Sequence, residues 1–184
     1  MGVRTSRELG RTIRAGNGGN KTQAVVLYLI NRLSRPPQGS GYHVFLNNLF
    51  VSTRFIKYTR SQGIGITGIC HEKGRINKEL LKLKNEDKKD IILWGETHSI
   101  PIPNSKVYYI GWKDQAFVLI MSSVLSGNEQ IIRLRRRPKE TSSKVKMSRV
   151  PFGNITIKEF SIPIIVDEYN YYIGAVNRFD HLTA

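Results

Sequence analysis

Five cations fall within seven residues, at Arg133, Arg135, Arg136, Arg137 and Lys139. Guanidinium and ammonium groups at that density hold phosphates by charge-assisted hydrogen bonds and counterion release, so the chemistry they suggest is recognition of a polyanion. The rest of the charge points the same way. The formal net charge is +15; residues 1–35 hold seven Lys/Arg against Glu8 and residues 130–150 hold eight against Glu140, so two short segments carry +13 of it. Nucleic acid is the natural candidate for such clustering, bound electrostatically and with little sequence preference, and the bland reading is a solvated loop that happens to be basic. The same arginine run also fits a nuclear import patch, and one run can serve both ends.

Three further positions join polar groups to the ends or faces of regular elements. Asn47 closes an aromatic and β-branched run, Tyr42 to Leu46, while Asn177 and Asp180 lie three residues apart and share one face of a helix. The plain reading of both asparagines is bonding to backbone or to each other. Other chemistries are readily set aside. His43, His71, His98 and His181 lack Cys or His partners at ligand spacing, and the lone Cys70 excludes a disulfide framework or a Cys-rich zinc site. Gly63-Ile64-Gly65-Ile66-Thr67-Gly68 has the letters of a dinucleotide fingerprint, but it follows a helix and opens a strand, the reverse of what phosphate cradling needs. Met1 to Ser6 fits a loose myristoylation pattern, and one acyl chain anchors only marginally. No apolar run reaches the roughly 18–20 residues that cross a bilayer, so no membrane partner is expected.

The elements that must position these residues alternate between helix and strand. Thr22 to Arg35 carries apolar residues at helical spacing and stops at Pro36-Pro37. Tyr42 to Leu46 reads as a buried strand, Ser52 as the N-cap of a helix through Ser61 that closes at Gly63, and Ile64 to Cys70 as a second strand. A short helix, Ile76 to Leu83, precedes a solvated run from Lys84 to Asp90. Three strands are expected at Ile91–Gly95, Lys106–Trp112 and Ala116–Val124, the last two turning at Lys113-Asp114-Gln115. Arg133 to Arg149 has no apolar period and is expected to be a loop or disordered. Asp167 to His181 reads as the helix that carries Asn177 and Asp180. Trp94 and Trp112 are expected in the core of the strand cluster rather than as base-stacking platforms.

Taken together, Tyr42-His43-Val44-Phe45-Leu46-Asn47-Asn48-Leu49-Phe50, Gly63 to Gly68, Tyr108 to Ser123 and Tyr169-Asn170-Tyr171-Tyr172-Ile173-Gly174-Ala175-Val176-Asn177-Arg178-Phe179-Asp180 resemble the tracts of PiggyBac-type transposases. In that family the first tract runs into Asp-Asn before an aromatic, and the last reads roughly Tyr-Asn-x-x-Met-Gly-Gly-Val-Asp-x-x-Asp. The resemblance puts the family's two metal-binding aspartates on Asn47 and Asn177 and leaves Asp180 as the surviving motif acid. It implies an α/β (α+β) chain with a partial ribonuclease H-like fold. Residues 21–184 would form part of a catalytic domain, with an antiparallel β insertion over 91–150 that includes the basic loop 130–150. Residues 1–20, which show nothing like the strand of the family's first aspartate, read as an unstructured or replaced start.

That family joins DNA by phosphoryl transfer on two Mg²⁺ ions held by carboxylates, each ion serving one of the two reacting oxygens. An asparagine keeps the shape and loses the charge, so no cofactor or metal is expected here, and Asn47, Asn177 and Asp180 are vestigial catalytic positions. Three functions fit: an inactive transposase-derived protein with residual DNA affinity, a domesticated DNA- or protein-binding module, or an active subunit completed by another chain. A nuclear location follows from the basic run, with the cytoplasm as the alternative. The strand Tyr42–Leu46 would have an open neighbour position, which invites self-association.

Overall fold

The computed structural model describes residues 21–34, 36–38, 40–73, 76–87, 91–139 and 149–183, with side chains described through Gly174. The reading of residues 1–20, the end of the basic segment at 140–148 and the run 88–90 lie outside the described residues. Among the described residues four helices and seven strands follow in order: α1 Lys21–Ile30, β1 His43–Leu46, α2 Thr53–Ser61, β2 Gly65–Ile69, α3 Lys78–Asp87, β3 Thr97–Pro101, β4 Tyr108–Lys113, β5 Phe117–Ser122, β6 Gln130–Arg136, β7 Ile157–Pro163 and α4 Ile164–Thr183, with a short 3₁₀ turn at Val150–Phe152 before β7. The fold is mixed α/β.

Five strands form one sheet in the order β1-β2-β5-β4-β3, and β6 pairs with β7 as a separate ribbon. β1 and β2 are parallel, His43 opposite Gly65 and Leu46 opposite Gly68, as the intervening helix α2 requires. β5 then runs antiparallel to β2, and β4 and β3 continue the meander. Strands expected as an inserted unit thus extend the sheet that holds β1. Among the described residues β1 pairs on its β2 side alone and is half-buried rather than buried.

Side-chain alternation gives the sheet two different faces. On one, Leu46, Ile66, Tyr109, Phe117, Leu119 and Met121 meet Ala24, Leu27 and Ile30 of α1, Phe55 and Ile56 of α2 and Leu80 of α3 in the larger apolar cluster. On the other, Ile110, Trp112 and Ile120 meet Ile162 of β7 and Ile165 and Val166 of α4. Close approach matters at Gly68, where a Cβ would collide with the Leu46 carbonyl oxygen and the Val51 side chain. Gly63, with φ of 78°, makes the left-handed turn that releases α2 into β2.

Three boundaries differ from expectation. α3 does not end at Leu83 but runs to Asp87. Its start is capped by the Asn77 side-chain oxygen, which accepts from the Glu79 amide at 2.7 Å, and its last residue is tied down. Asp87 accepts the Phe117 amide at 2.8 Å and pairs with the buried Lys113 ammonium, so the described part of the run read as solvated, through Asp87, is an anchored helix end. Residues Ile91–Gly95 form bends and a turn instead of a strand, and β3 lies later, at Thr97–Pro101. The reason is Trp94, which leaves the sheet to pack on Phe160 at 4.4 Å between ring centroids and to donate Nε1 to Asp114 at 3.1 Å. The third difference is β6, which takes Arg133–Arg136 out of the loop expected over Arg133–Arg149; residues 137–139 have no regular structure, as expected.

Candidate functional site

Asn47 stands directly after β1, where the chain turns toward α2. The turn is built locally: the Phe50 amide donates to the Asn47 carbonyl at 3.1 Å, and the Asn48 amide donates to Asn47 Oδ1 at 2.6 Å. Gln23 of α1 fixes the far side, its Nε2 donating to the Phe50 carbonyl at 3.1 Å and to Ser52 Oγ at 2.8 Å. Ser52 in turn caps α2 by accepting the Phe55 amide at 3.3 Å, as its residue type and extended backbone favour. Asn47 is exposed at this corner with its carboxamide oxygen already occupied by backbone.

Helix α4 crosses the opposite face of the sheet toward the same corner. Ile165 and Val166 seat its first turn against β4 and β5, and its backbone also packs on β2 and β1. Tyr169 is buried on that path beside Cys70, and burial, with the neighbouring thiol, pushes its phenol up to about 12. One turn later Tyr172 stacks on Phe45, with ring centroids 4.6 Å apart and planes 20° from parallel. Helix and first-motif strand are therefore brought together two residues before Asn47. Asn177 and Asp180 follow on the same helix, about 7–8 Å and 12 Å further along its axis than Tyr172 at the usual rise; their side chains lie outside the described residues.

Beneath α4 a polar row crosses three strands. His43 Nε2 and Thr67 Oγ1 are 2.9 Å apart, Thr67 Oγ1 and Ser122 Oγ 2.7 Å, and Ser122 Oγ accepts the amides of Val124 and Leu125 at 3.1 and 3.0 Å. Thr67 and Ser122 are fully buried, and burial lowers the pKa of His43, which keeps the imidazole neutral as a hydrogen-bonding ring. Sequence patterning overlooked this row, although its members sit at the same inward register on β1, β2 and β5. Among the described residues no group of three His, Cys, Asp or Glu side chains is placed to hold a metal ion.

The arginine run takes a form the sequence reading missed. β6 pairs with β7 from Gln130 opposite Pro163 to Arg136 opposite Ile157, so its side chains alternate. Arg133 turns to α4 and donates Nε and Nη2 to the two Asp167 oxygens at 2.8 and 2.7 Å, which holds the Asp167 carboxyl below its usual range. Arg135 donates to Asp114 at 2.7 Å and lies 5.6 Å over the Trp112 ring. Just beyond the strand, Arg137 donates to the Gly153 carbonyl at 2.7 Å. Arg136 and Lys139 are exposed and make no such bonds among the described residues. The strict alternation in Ile132-Arg133-Leu134-Arg135 was the available signal for a strand. Trp112 is buried and Trp94 partly so, in the core as expected.

Comparisons with known proteins agree with this architecture. Residues 6–184 match the family described as Transposase IS4. No curated protein matches the sequence. Among solved structures, the chain is similar to a piggyBac transposase in a synaptic complex with hairpin DNA, at 19% identity and a TM-score of 0.50, over 84% of this chain and 26% of that one. The likeness at that identity is one of fold, and the chain spans about a quarter of that protein's length. The order of helices and strands around the Asn47 corner, the match along nearly the whole chain and the shared fold lead to one conclusion: this chain belongs to the IS4 transposase family and has a piggyBac-type α/β fold.

Proposed function

We infer that this protein is a transposase-derived DNA-binding protein that does not itself catalyse strand cleavage or transfer, on a partial ribonuclease H-like core. The observation that carries the reading is the chemistry of Asn47. The resemblance puts it where the family has a metal-binding aspartate, yet it is neutral and its carboxamide oxygen accepts the Asn48 amide at 2.6 Å. A magnesium ion takes hard, charged oxygens in an octahedron and gives up water reluctantly, so this position does not fit it. Asn177 repeats the loss of charge at the second motif. The DNA in the synaptic complex of the similar structure, together with a net charge of +15, supports duplex DNA as the partner. Arg136 and Lys139 are the cations of the arginine run that remain available to phosphates, since Arg133, Arg135 and Arg137 are engaged within the fold.

The test is incubation with Mg²⁺ or Mn²⁺ and a duplex bearing terminal repeats beside TTAA. Binding without nicks, hairpins or joined strands is expected, and Asn47→Asp with Asn177→Asp is expected to remain inactive. Chelator-sensitive cleavage by the unaltered chain would overturn the reading.

A further inference from the structure

Resting on the DNA-binding reading, we propose that the outer face of α2 is a phosphate-binding track for duplex DNA, formed by Arg54, Lys57 and Arg60. These three cations recur every third residue, so they lie along one face of the helix. All three are exposed, while Phe55, Ile56 and Thr59 on the opposite face are buried, with exposures of 1% or less. Burial that complete fixes the rotation of the helix about its axis, so the row cannot turn away. The Ser52 cap and the Gln23 clamp fix its position at the Asn47 corner. The track begins at the end of the sheet where the resemblance puts the former catalytic position.

Charge is unopposed there. From Lys21 to His71 the sequence holds Lys21, Arg32, Arg35, Arg54, Lys57 and Arg60 and no Asp or Glu at all. Among the described residues none of the three α2 cations makes an ion pair, in contrast to Arg133 and Arg135. From Arg54 to Arg60 the row extends about 9 Å along the helix. Each strand of a duplex carries one phosphate per about 3.4 Å of axis, so the row spans two or three phosphates of one strand. Single-stranded binders need exposed aromatic rings on which bases stack, and the outer face of α2 offers none, its one further aromatic, Tyr58, being packed against the core. Phosphate recognition without base readout is what this surface supplies.

The test measures binding of the full chain to a mixed-sequence duplex by fluorescence anisotropy between about 50 and 200 mM salt. The unaltered chain is compared with the set Arg54→Gln, Lys57→Gln and Arg60→Gln, and with the set Arg136→Gln and Lys139→Gln. The α2 set is expected to reduce the slope of log affinity against log salt by about 2–3, close to 0.9 for each phosphate no longer neutralised. The Arg136 and Lys139 set is expected to reduce it by less. Arg54→Lys with Arg60→Lys keeps the charges and is expected to keep the slope. Steep binding by the unaltered chain that the α2 set leaves unchanged, with circular dichroism intact, overturns the track while DNA binding stands. Absence of duplex binding by the unaltered chain overturns both. Tighter binding to single strands or RNA than to duplex overturns the assignment of partner.

Discussion

Two cationic regions of this molecule look alike in composition and are opposite in placement. On β6, Arg133 and Arg135 share one face of the ribbon and find Asp167, Asp114 and Trp112, while Arg136 lies on the other face. On α2 the cations recur at three-residue spacing, face outward together and meet no acid among the described residues. Lys113 marks the extreme of the first kind, a buried ammonium paired with Asp87 between α3 and the β4–β5 hairpin. A run of positive letters is therefore a weaker sign of a binding surface than cations in phase with the period of their element and without counter-ions nearby. Density in the sequence measures charge, and phase decides which way it points.

The strongest way to probe the inward class is to remove the Lys113 partner. Asp87→Ala would leave an unpaired ammonium in the core and also free the Phe117 amide. A loss of about 3–5 kcal/mol is expected by urea unfolding, most of it recovered when Lys113→Met is added, because an apolar pair needs no desolvation. Failure of the double variant to recover would mean that the Phe117 amide, rather than the charge, dominates. Next in size is Arg135→Ala, which gives up the Asp114 bond and the Trp112 stacking; about 1–2 kcal/mol is expected. Its DNA salt slope should match the unaltered chain. A flattened slope would place Arg135 among the phosphate-binding cations and collapse the comparison.

Much of the cationic half around α2 was legible because local signals and packing agree there. Ser52, the apolar face of α2, Gly63 and the short strand before Asn47 each carried a local cue, and each element formed within a residue or two of its expected bounds. The same regularity reached the family motifs, whose order along the chain pointed to the fold. Where the sequence misled, distant partners decided. Nothing local says that Asp87 will reach Phe117, that Trp94 will leave the sheet for Phe160, or that Arg133 and Arg135 will meet acids 34 and 21 positions away. Those long-range bonds accompany the turn of the first four residues of the expected loop, Arg133–Arg136, into β6. The helix carrying Asn177 and Asp180 was likewise legible from its apolar residues, and among the described residues its approach to β1 includes the stack of Tyr172 on Phe45.

A smaller effect separates the cationic half by pH. His43 faces the α4 side within the segment that lacks acids, and burial lowers its pKa below 6.5. The folded state then favours the neutral ring, while the unfolded chain takes up a proton near 6.5. Its stability contribution is complete above that pH, falls as pH drops through it and levels off below the folded pKa. His43→Gln, which can still bond Thr67, should remove that part of the slope in melts between about pH 5 and 7. An unchanged slope would assign the titration to another group.

The smallest expected effect lies at Arg133 and Asp167, and it tests the comparison most directly. The pair is bidentate but largely solvated, with side-chain exposures of 48% and 26%, so water and salt screen it. Asp167 titrates below its ordinary 3.8, chiefly because Arg133 donates to both of its oxygens. Its contribution is therefore present above pH 3.8 and is lost as pH falls through the lower folded value. Asp167→Asn should flatten the melt profile in that acid window by slightly lowering stability above it and leaving stability below it unchanged. The same substitution releases Arg133 from its carboxylate, which makes it an added cation on the ribbon. If β6 faces DNA, Asp167→Asn should steepen the salt slope by about 0.9, the value for one further phosphate neutralised. If the Arg133 face of the ribbon turns away from DNA, the slope should stay as it was while the α2 set still lowers it. That pairing of outcomes decides whether the inward face of the ribbon joins α2 in meeting the phosphates.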